Sequence, residues 1–287
     1  MRLGHLGPAG TFTEEAARAA ATPPGAEFVP YPTVADTVAA VLDGDVRAAL
    51  VPIENSLEGT VTTTVDALSS EPRLHIVGEA VLAVRQCLIA RAPLELGHIA
   101  RVLSHPQGLA QCTHFLREQL PGAELVATGS TAEAVRALAD QPPTSAAIGS
   151  RIAAEVHDAV VLREGIEDGD GNATRFAWLA ADDATPFPGP DDPAASWKTS
   201  ILFAGAGDES PGWLVRCLSE LAFRGVNLVK IESRPTRSQL GHYLFLADCE
   251  GRAADPLVAQ ALDGLRAQCD QVRVLGSYPA APAASVS

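Results

Sequence analysis

Apolar and polar residues alternate along the first half of the chain in a succession that occurs twice. Leu3 to Leu6 is a short strand-like run leading into Gly7-Pro8-Ala9-Gly10-Thr11, with helical spacing from about Thr13. Pro24-Gly25-Ala26-Glu27-Phe28-Val29 comes next, then Thr33-Val34-Ala35-Asp36, which reads as a capping box. Val34, Val38 and Val41 recur at helical spacing, Asp43-Gly44 stops the helix, and the apolar run Ala48 to Ile53 reads as a buried strand. In the second copy Val102-Leu103 leads into Ser104-His105-Pro106-Gln107-Gly108 and a helix through Leu120. Pro121-Gly122-Ala123-Glu124-Leu125-Val126 echoes the earlier stretch, Ser130-Thr131-Ala132-Glu133 is its capping box, and Ala146-Ala147-Ile148 its strand. The pattern predicts two lobes of strand–loop–helix–strand–helix–strand form, with largely parallel sheets and helices on both faces. Ligands of such sheets sit at the carboxyl ends of the strands, so the cleft between the lobes is the expected site.

Beyond Ala181 the pattern changes. Residues 181–196 are rich in Asp, Pro and Ala and read as a linker. Thr199 to Ala204 is strand-like, Gly212 to Gly225 helical, Val226 to Glu232 and Gly241 to Asp248 strands, Asp255 to Cys269 helical, and Val272 to Gly276 a final strand. That is βαββαβ, a small antiparallel unit. The expected division is a first domain over 1–180, a linker over 181–196, a second domain over 197–279 and a disordered tail over 280–287. The lobes of the first domain are expected at about 1–78 plus 165–180, and at 79–164.

Composition narrows the chemistry. The 287 residues carry a formal charge of −14, which argues against nucleic acid as a partner, since phosphate binding needs clustered Lys and Arg. The Cys count, 5, is odd and no pair has CxxC spacing, so neither a disulfide framework nor a zinc site is expected and a reducing compartment is the simpler reading. There is no basic region followed by a long apolar stretch at the N-terminus, and no run is long enough to span a membrane.

Polar motifs cluster where the cleft should lie. Gly7 to Thr11 offers backbone amides at a helix start, suited to a carboxylate or phosphate. Glu54-Asn55-Ser56 ends a strand, as does Ser104-His105-Pro106-Gln107, and Asn172-Ala173-Thr174-Arg175-Phe176 puts a hydroxyl next to a guanidinium suited to bidentate carboxylate binding. Each alone also reads as a helix cap or turn. Together they describe a pocket for a small polyanion, without a metal cluster or a phosphate loop of the GxxxxGK type.

At these residues the sequence resembles the prephenate dehydratase family. Leu6 to Thr13, Val51 to Gly59, Ser104 to Cys112 and Asn172 to Phe176 are similar to its motifs and in its order. The second domain resembles the ACT regulatory module, through Pro211-Gly212 and Lys230 to Pro235. The resemblance implies an α/β catalytic domain of two lobes, like type II periplasmic binding proteins, followed by a ferredoxin-like ACT domain. It implies a cytoplasmic homodimer or homotetramer that needs no cofactor, converts prephenate to phenylpyruvate, and responds to phenylalanine, or to tyrosine in some members.

Carried over motif by motif, the resemblance implies that Thr174 assists the leaving hydroxyl and that Arg175 holds a carboxylate and stabilises developing charge. Asn55, Ser104 and Gln111 would hydrogen-bond the substrate, and Thr11, Glu54, Ser56, His105, Asn172 and Phe176 would complete the site. Glu54 beside a dianion needs a proton or a cation, or else a structural role. Gly212, Trp213, Leu214, Asn227, Glu232, Ser233 and Arg234 correspond to the effector site. Trp213 replaces the small residue usual after the loop Gly, which leaves the effector's identity open. An arogenate dehydratase remains an alternative, as does a non-catalytic binding protein. A relative that only decarboxylates is disfavoured by Thr174-Arg175, because dehydration needs help for the leaving group.

Overall fold

The structure is a computed structural model that describes residues 1–21, 25–169, 171–189, 195–205, 210–236 and 242–282. The first lobe starts with β1 (Arg2–Leu6), α1 (Phe12–Ala20), β2 (Glu27–Tyr31), α2 (Val34–Leu42), β3 (Ala48–Asn55), β4 (Gly59–Thr60), α3 (Thr62–Ser70) and β5 (His75–Ala83). The second lobe holds β6 (Cys87–Ala90), β7 (Arg101–Ser104), α4 (Pro106–Gln111), α5 (Thr113–Gln119), β8 (Glu124–Ala127), α6 (Thr131–Ala137), β9 (Ser145–Gly149), α7 (Arg151–Val156) and β10 (Val160–Glu164). The chain then returns to the first sheet as β11 (Ala173–Ala180).

The sequence echo is visible in the sheets. The first runs β2-β1-β3-β11-β5 and the second β8-β7-β9-β6-β10, so the parallel trio of each copy lies in the same order. The expected capping boxes close both central helices: the Thr33 hydroxyl accepts from the Asp36 N–H (3.1 Å) and the Ser130 hydroxyl from the Glu133 N–H (3.0 Å). Largely parallel sheets were expected, and here the structure differs. β11 in one lobe and β6 in the other, the strands by which the chain enters each lobe from its neighbour, run antiparallel to the trios, and β5 and β10 pair antiparallel with them in turn. The single helix expected through Leu120 is broken at Cys112 into α4 and α5.

The second domain comprises β12 (Trp197–Ala204), α8 (Trp213–Ala222), β13 (Leu228–Pro235), β14 (Tyr243–Glu250), α9 (Pro256–Gln268) and β15 (Gln271–Pro279). Its antiparallel sheet has the order β13-β14-β12-β15. One face packs under α8 and α9 through Phe203, Trp213, Cys217, Leu221 and Leu265. The other face is buried against the first lobe: Leu202, Leu246, Leu275 and Tyr278 belong to the same apolar cluster as Ile53, Val65, Leu68 and Ile76. The approach is so close that a Cβ at Gly276 would collide with the Ile76 backbone. In the linker, Phe187 lies against Gly78, where a Cβ would also collide. Residues 190–194, with Pro190 and Pro193, and residues 283–287 of the expected disordered tail lie outside the described residues.

Candidate active site

A cavity of about 350 Å³ opens where the strand ends of the two lobes face each other. Thr11, Asn55, His105, Gln111, Asn172 and Thr174 line it, and each comes from a different element or turn. Thr11 caps α1: its hydroxyl donates to the Leu6 carbonyl (3.1 Å) and accepts from the Glu14 N–H (3.3 Å). His105 caps α4 by accepting the Gln107 N–H at Nδ1 (3.2 Å), which leaves the neutral ring's proton on Nε2.

The loop before α1 is tied from behind. The Gly10 N–H donates to the Glu14 carboxylate (2.7 Å), and the Ser150 hydroxyl of the second lobe donates to the Gly10 carbonyl (2.7 Å). Burial would raise the Glu14 carboxyl, but the Gly10 N–H, Arg18 and His5 outweigh it and hold it below its ordinary value. His5, whose Nε2 lies 4.0 Å from Glu14, is pushed below its ordinary value mainly by burial.

A directed hydrogen-bond chain crosses the floor of the cleft. The Asn55 amide oxygen accepts from the N–H groups of Leu57 (2.9 Å) and Glu58 (3.0 Å), which fixes the flip of the amide. Its Nδ2 therefore donates to Asn172 Oδ1 (2.9 Å) and to Thr174 Oγ1 (3.0 Å). Asn172 Nδ2 donates to Gln111 Oε1 (3.2 Å), which also receives the Gln86 amide (3.1 Å). Thr174 Oγ1 is thus an acceptor toward the protein, and its own O–H is left to donate into the cleft.

The remaining expected residues lie elsewhere. β11 alternates, so Thr174 faces the cleft and Arg175 faces the back of the sheet, where it bonds Glu79 (2.7 Å) and Asp248 (2.6 Å). Glu54 shares that back face with Arg175 (3.4 Å) and Lys230 (3.0 Å), so its cation partners are structural neighbours. Phe176 returns to the cleft side of β11 but is only 1% exposed, packed in the core with Leu3, Leu50 and Trp178. Ser104 is fully buried and donates to the Ile148 carbonyl (2.9 Å). Ser56 staples the turn before β11, donating to the Gly171 carbonyl and accepting the Ala173 N–H. No Lys, Arg, Asp or Glu is among the residues lining the cavity. The first turns of α1, α4 and α6 border it instead, and helix starts of this kind offer peptide N–H groups to an anion.

Sequence reasoning gave no individual role to the lining residues Phe12, Thr13 and Gln107, which it met only inside its motifs, and it missed Gln86 and Thr131. Ser130, also in the lining, was read only as a cap, yet its place at a strand end in the echo was the available signal. Gln86, 2% exposed and with no partner for Oε1, carries no local signature.

The residues expected at the effector site divide between two faces of the second domain. Gly212 starts α8 in a left-handed conformation (φ 77°). Trp213 is buried against the stacked pair Phe203 and Phe245, its indole N–H donating to the Gln268 carbonyl (2.7 Å), and Leu214 packs beside that core. Ser233 pairs with Phe245 on this face, and Asn227 is exposed. Glu232 and Arg234 turn the other way and bond Thr60 (3.1 Å) and Asp66 (3.2 Å) of the first domain.

A two-lobed α/β protein with a polar interlobe cleft and a docked βαββαβ domain is the class that the fold and the site define. The prephenate dehydratase family model matches residues 3–184. The prephenate dehydratase of Bacillus subtilis is 36% identical over 97% of this chain and 98% of its own length. The crystal structure of the Arthrobacter aurescens prephenate dehydratase in complex with L-Phe is 38% identical, with a TM-score of 0.85 over 97% of this chain and 90% of that one. A structure described as GqqA, a novel type of quorum-quenching acylase, is 32% identical with a TM-score of 0.85, covering 98% of this chain and 99% of that one. The chain belongs to the prephenate dehydratase family, and its activity is that family's: a hydro-lyase acting on prephenate.

Proposed function

We propose that the interlobe cleft binds prephenate and that Thr174 carries the dehydration. Prephenate has a carboxylate and a hydroxyl at opposite carbons of a cyclohexadiene ring. Breaking the ring–carboxylate bond releases CO2 and sends its electron pair through the ring, and the hydroxyl leaves as water with a proton taken up from solvent. The ring becomes aromatic, so the protein's task is to orient two carboxylates and ease the departure of hydroxide. First-turn N–H groups of α1, α4 and α6 and the His105 Nε2–H are donors suited to the carboxylates, with Thr11 shaping the loop before α1. The Thr174 O–H, set outward by the Asn55 amide, is the donor suited to the leaving oxygen. The acceptance of the Asn55 Nδ2–H by Thr174 Oγ1, which leaves the hydroxyl proton for the cleft, is the observation that carries the reading. Gln111 and Asn172 hold the chain of amides in register, while Ser104, Ser56 and Phe176 support it from beneath.

An acylase, the word in the description of GqqA, would need a base beside a nucleophile if it worked through a covalent intermediate. The lining offers hydroxyls without a carboxylate or thiol, and the Nδ1 of His105 is engaged as a cap, so the geometry favours dehydration. The test is phenylpyruvate formation from prephenate at neutral pH by wild type and Thr174→Ala, with arogenate alongside. Rapid turnover of prephenate by wild type and its loss in Thr174→Ala is the expected result. Turnover of arogenate alone would change the substrate.

The βαββαβ domain is, in this reading, an ACT domain over about 197–279, joined through 181–196 to a catalytic domain resembling type II periplasmic binding proteins. Its effector is an aromatic amino acid, supported by the L-Phe complex of the relative. Gly212, Trp213, Leu214, Asn227 and Ser233 lie on or beside its helix face and are the proposed contacts, completed by a second copy in a cytoplasmic dimer or tetramer. No helix among the described residues is long and apolar enough to cross a membrane.

A further inference from the structure

The back of β11 carries a buried ion network that continues into the second domain. Arg175 donates through Nε to Glu79 (2.7 Å), through Nη1 to Asp248 (2.6 Å) and through Nη2 to the Tyr278 hydroxyl (3.0 Å). The second Asp248 oxygen accepts from the Ser200 hydroxyl (2.6 Å), which lies 2.6 Å from that of Tyr278. Ser200, Asp248 and Tyr278 stand on three different strands of the second domain, and none is more than 1% exposed. Lys198 donates to Glu79 (2.8 Å) and Lys230 forms an ion pair with Glu54 (3.0 Å), so the cations Arg175, Lys198 and Lys230 face the carboxylates Glu79, Asp248 and Glu54. Burial alone works against the Arg175 charge, and Asp248, Tyr278 and Glu79 outweigh it.

Two features tie this network to the chemistry. Thr174 pairs with Asn55 and Arg175 with Glu54, and the register of β11 against β3 shifts immediately after Arg175. A guanidinium anchored at a bulge sets where the strand on either side of it lies. The apolar contacts of Leu202, Leu246 and Leu275 already dock the domains, whereas a buried ion network is weak evidence for stability and better suited to fixing one geometry.

Resting on the assignment of Thr174 above, we propose that Asp248, Ser200 and Tyr278 are positioning residues for the dehydration. By gripping Arg175 from the second domain they hold the neighbouring Thr174 in line with Asn55. A movement of the regulatory sheet then reaches the reacting hydroxyl through one guanidinium.

Steady-state kinetics and melting curves of the full chain test this, with Asp248→Asn, Tyr278→Phe, Arg175→Lys, the double variant of Asp248 and Arg175, Arg273→Met and Thr174→Ala. Misalignment of a donor by a fraction of an ångström is expected to cut kcat of Asp248→Asn by about 10- to 100-fold, with KM changed less than about twofold. Tyr278→Phe should fall in the same direction by less. The double variant should be no slower than its slower single, because both break one tether. Arg273 donates to the Leu68 and Leu74 carbonyls across the same interface without touching Arg175, so Arg273→Met should keep kcat within about twofold even if it melts earlier. Wild-type kcat in both Asp248→Asn and Tyr278→Phe overturns the proposal, as does a kcat loss in Arg273→Met that matches theirs. If Asp248→Asn fails to fold, Tyr278→Phe, which lacks one hydroxyl, decides alone. Undiminished kcat in Thr174→Ala would instead sink the reading of the site itself.

Discussion

The two faces of β11 hold opposite kinds of chemistry one residue apart. On the cleft face, Thr174 sits among uncharged donors and acceptors whose directions are fixed by backbone N–H groups. On the back face, Arg175 sits in a network of full charges, buried between two domains. A cation next to Thr174 in sequence invites a role beside the substrate, but a strand sends neighbouring side chains to opposite faces. The contrast teaches that a dianion can be met here by peptide and hydroxyl donors, while the guanidinium serves to hold the strand that carries one of them.

The largest effect should come from removing the reactive group on the cleft face. Thr174→Val keeps the shape and the β-branch but loses the hydroxyl, and kcat should fall by about 10²- to 10⁴-fold, the usual worth of a positioned proton donor. KM for prephenate should change little, since the donor acts on a leaving oxygen rather than on a carboxylate. A rise in KM with kcat retained would reassign Thr174 to binding.

Asn55→Asp sharpens the same face. A carboxylate there still accepts from Leu57 and Glu58, but it can no longer donate to Thr174 Oγ1. The Thr174 O–H would turn toward it and away from the cleft, and the added charge would oppose a dianion. A kcat lower by about 10- to 100-fold together with a raised KM is expected, on the scale of losing one oriented donor. Wild-type kinetics would show that the direction of the Thr174 hydroxyl does not matter.

The back face is tested by pushing the domains apart. Gly276→Ala puts a methyl group into the Ile76 backbone, which cannot yield as a flexible side chain would. Overpacking of this kind costs about 1–3 kcal/mol, read as an earlier unfolding transition in urea or on heating. An unchanged transition would mean that β15 does not rest on β5 in solution.

Much of this architecture was legible because its signals are local. Caps at Thr33 and Ser130, the stop at Gly44 and the apolar runs of β3 and β9 are readable within a few residues, and their repetition gives the lobes. Thr11, Asn55 and His105 follow from the same logic, since each stands at a strand end or helix start. The facing of Arg175, Glu54 and Glu232 was not legible. It depends on strand register and on a domain packed behind the sheet, and a short motif specifies neither. Likewise the antiparallel crossing strands depend on which lobe the chain enters next, a long-range choice. Trp213 was expected near the effector loop, and its burial against Phe203 and Phe245 shows an aromatic serving the core there.

The smallest effect needs no mutation and concerns the cleft face alone. His5 and Glu14 brace the Gly10–Thr11 loop from behind, and both have pKa values held below their ordinary ones, His5 mainly by burial and Glu14 by the Gly10 N–H, Arg18 and His5 acting against burial. A depressed folded-state pKa means that the unfolded chain binds the proton more readily, so stability is lost as pH falls. The His5 part should start to disappear below the ordinary histidine value of 6.5 and the Glu14 part below the ordinary glutamate value of 4.5. Urea melts across this range should therefore show two successive declines. Glu14→Gln should flatten the lower one, because an amide has no proton to take up. A lower decline that is the same in Glu14→Gln would show that the brace behind the Gly10–Thr11 loop does not set the protein's response to acid.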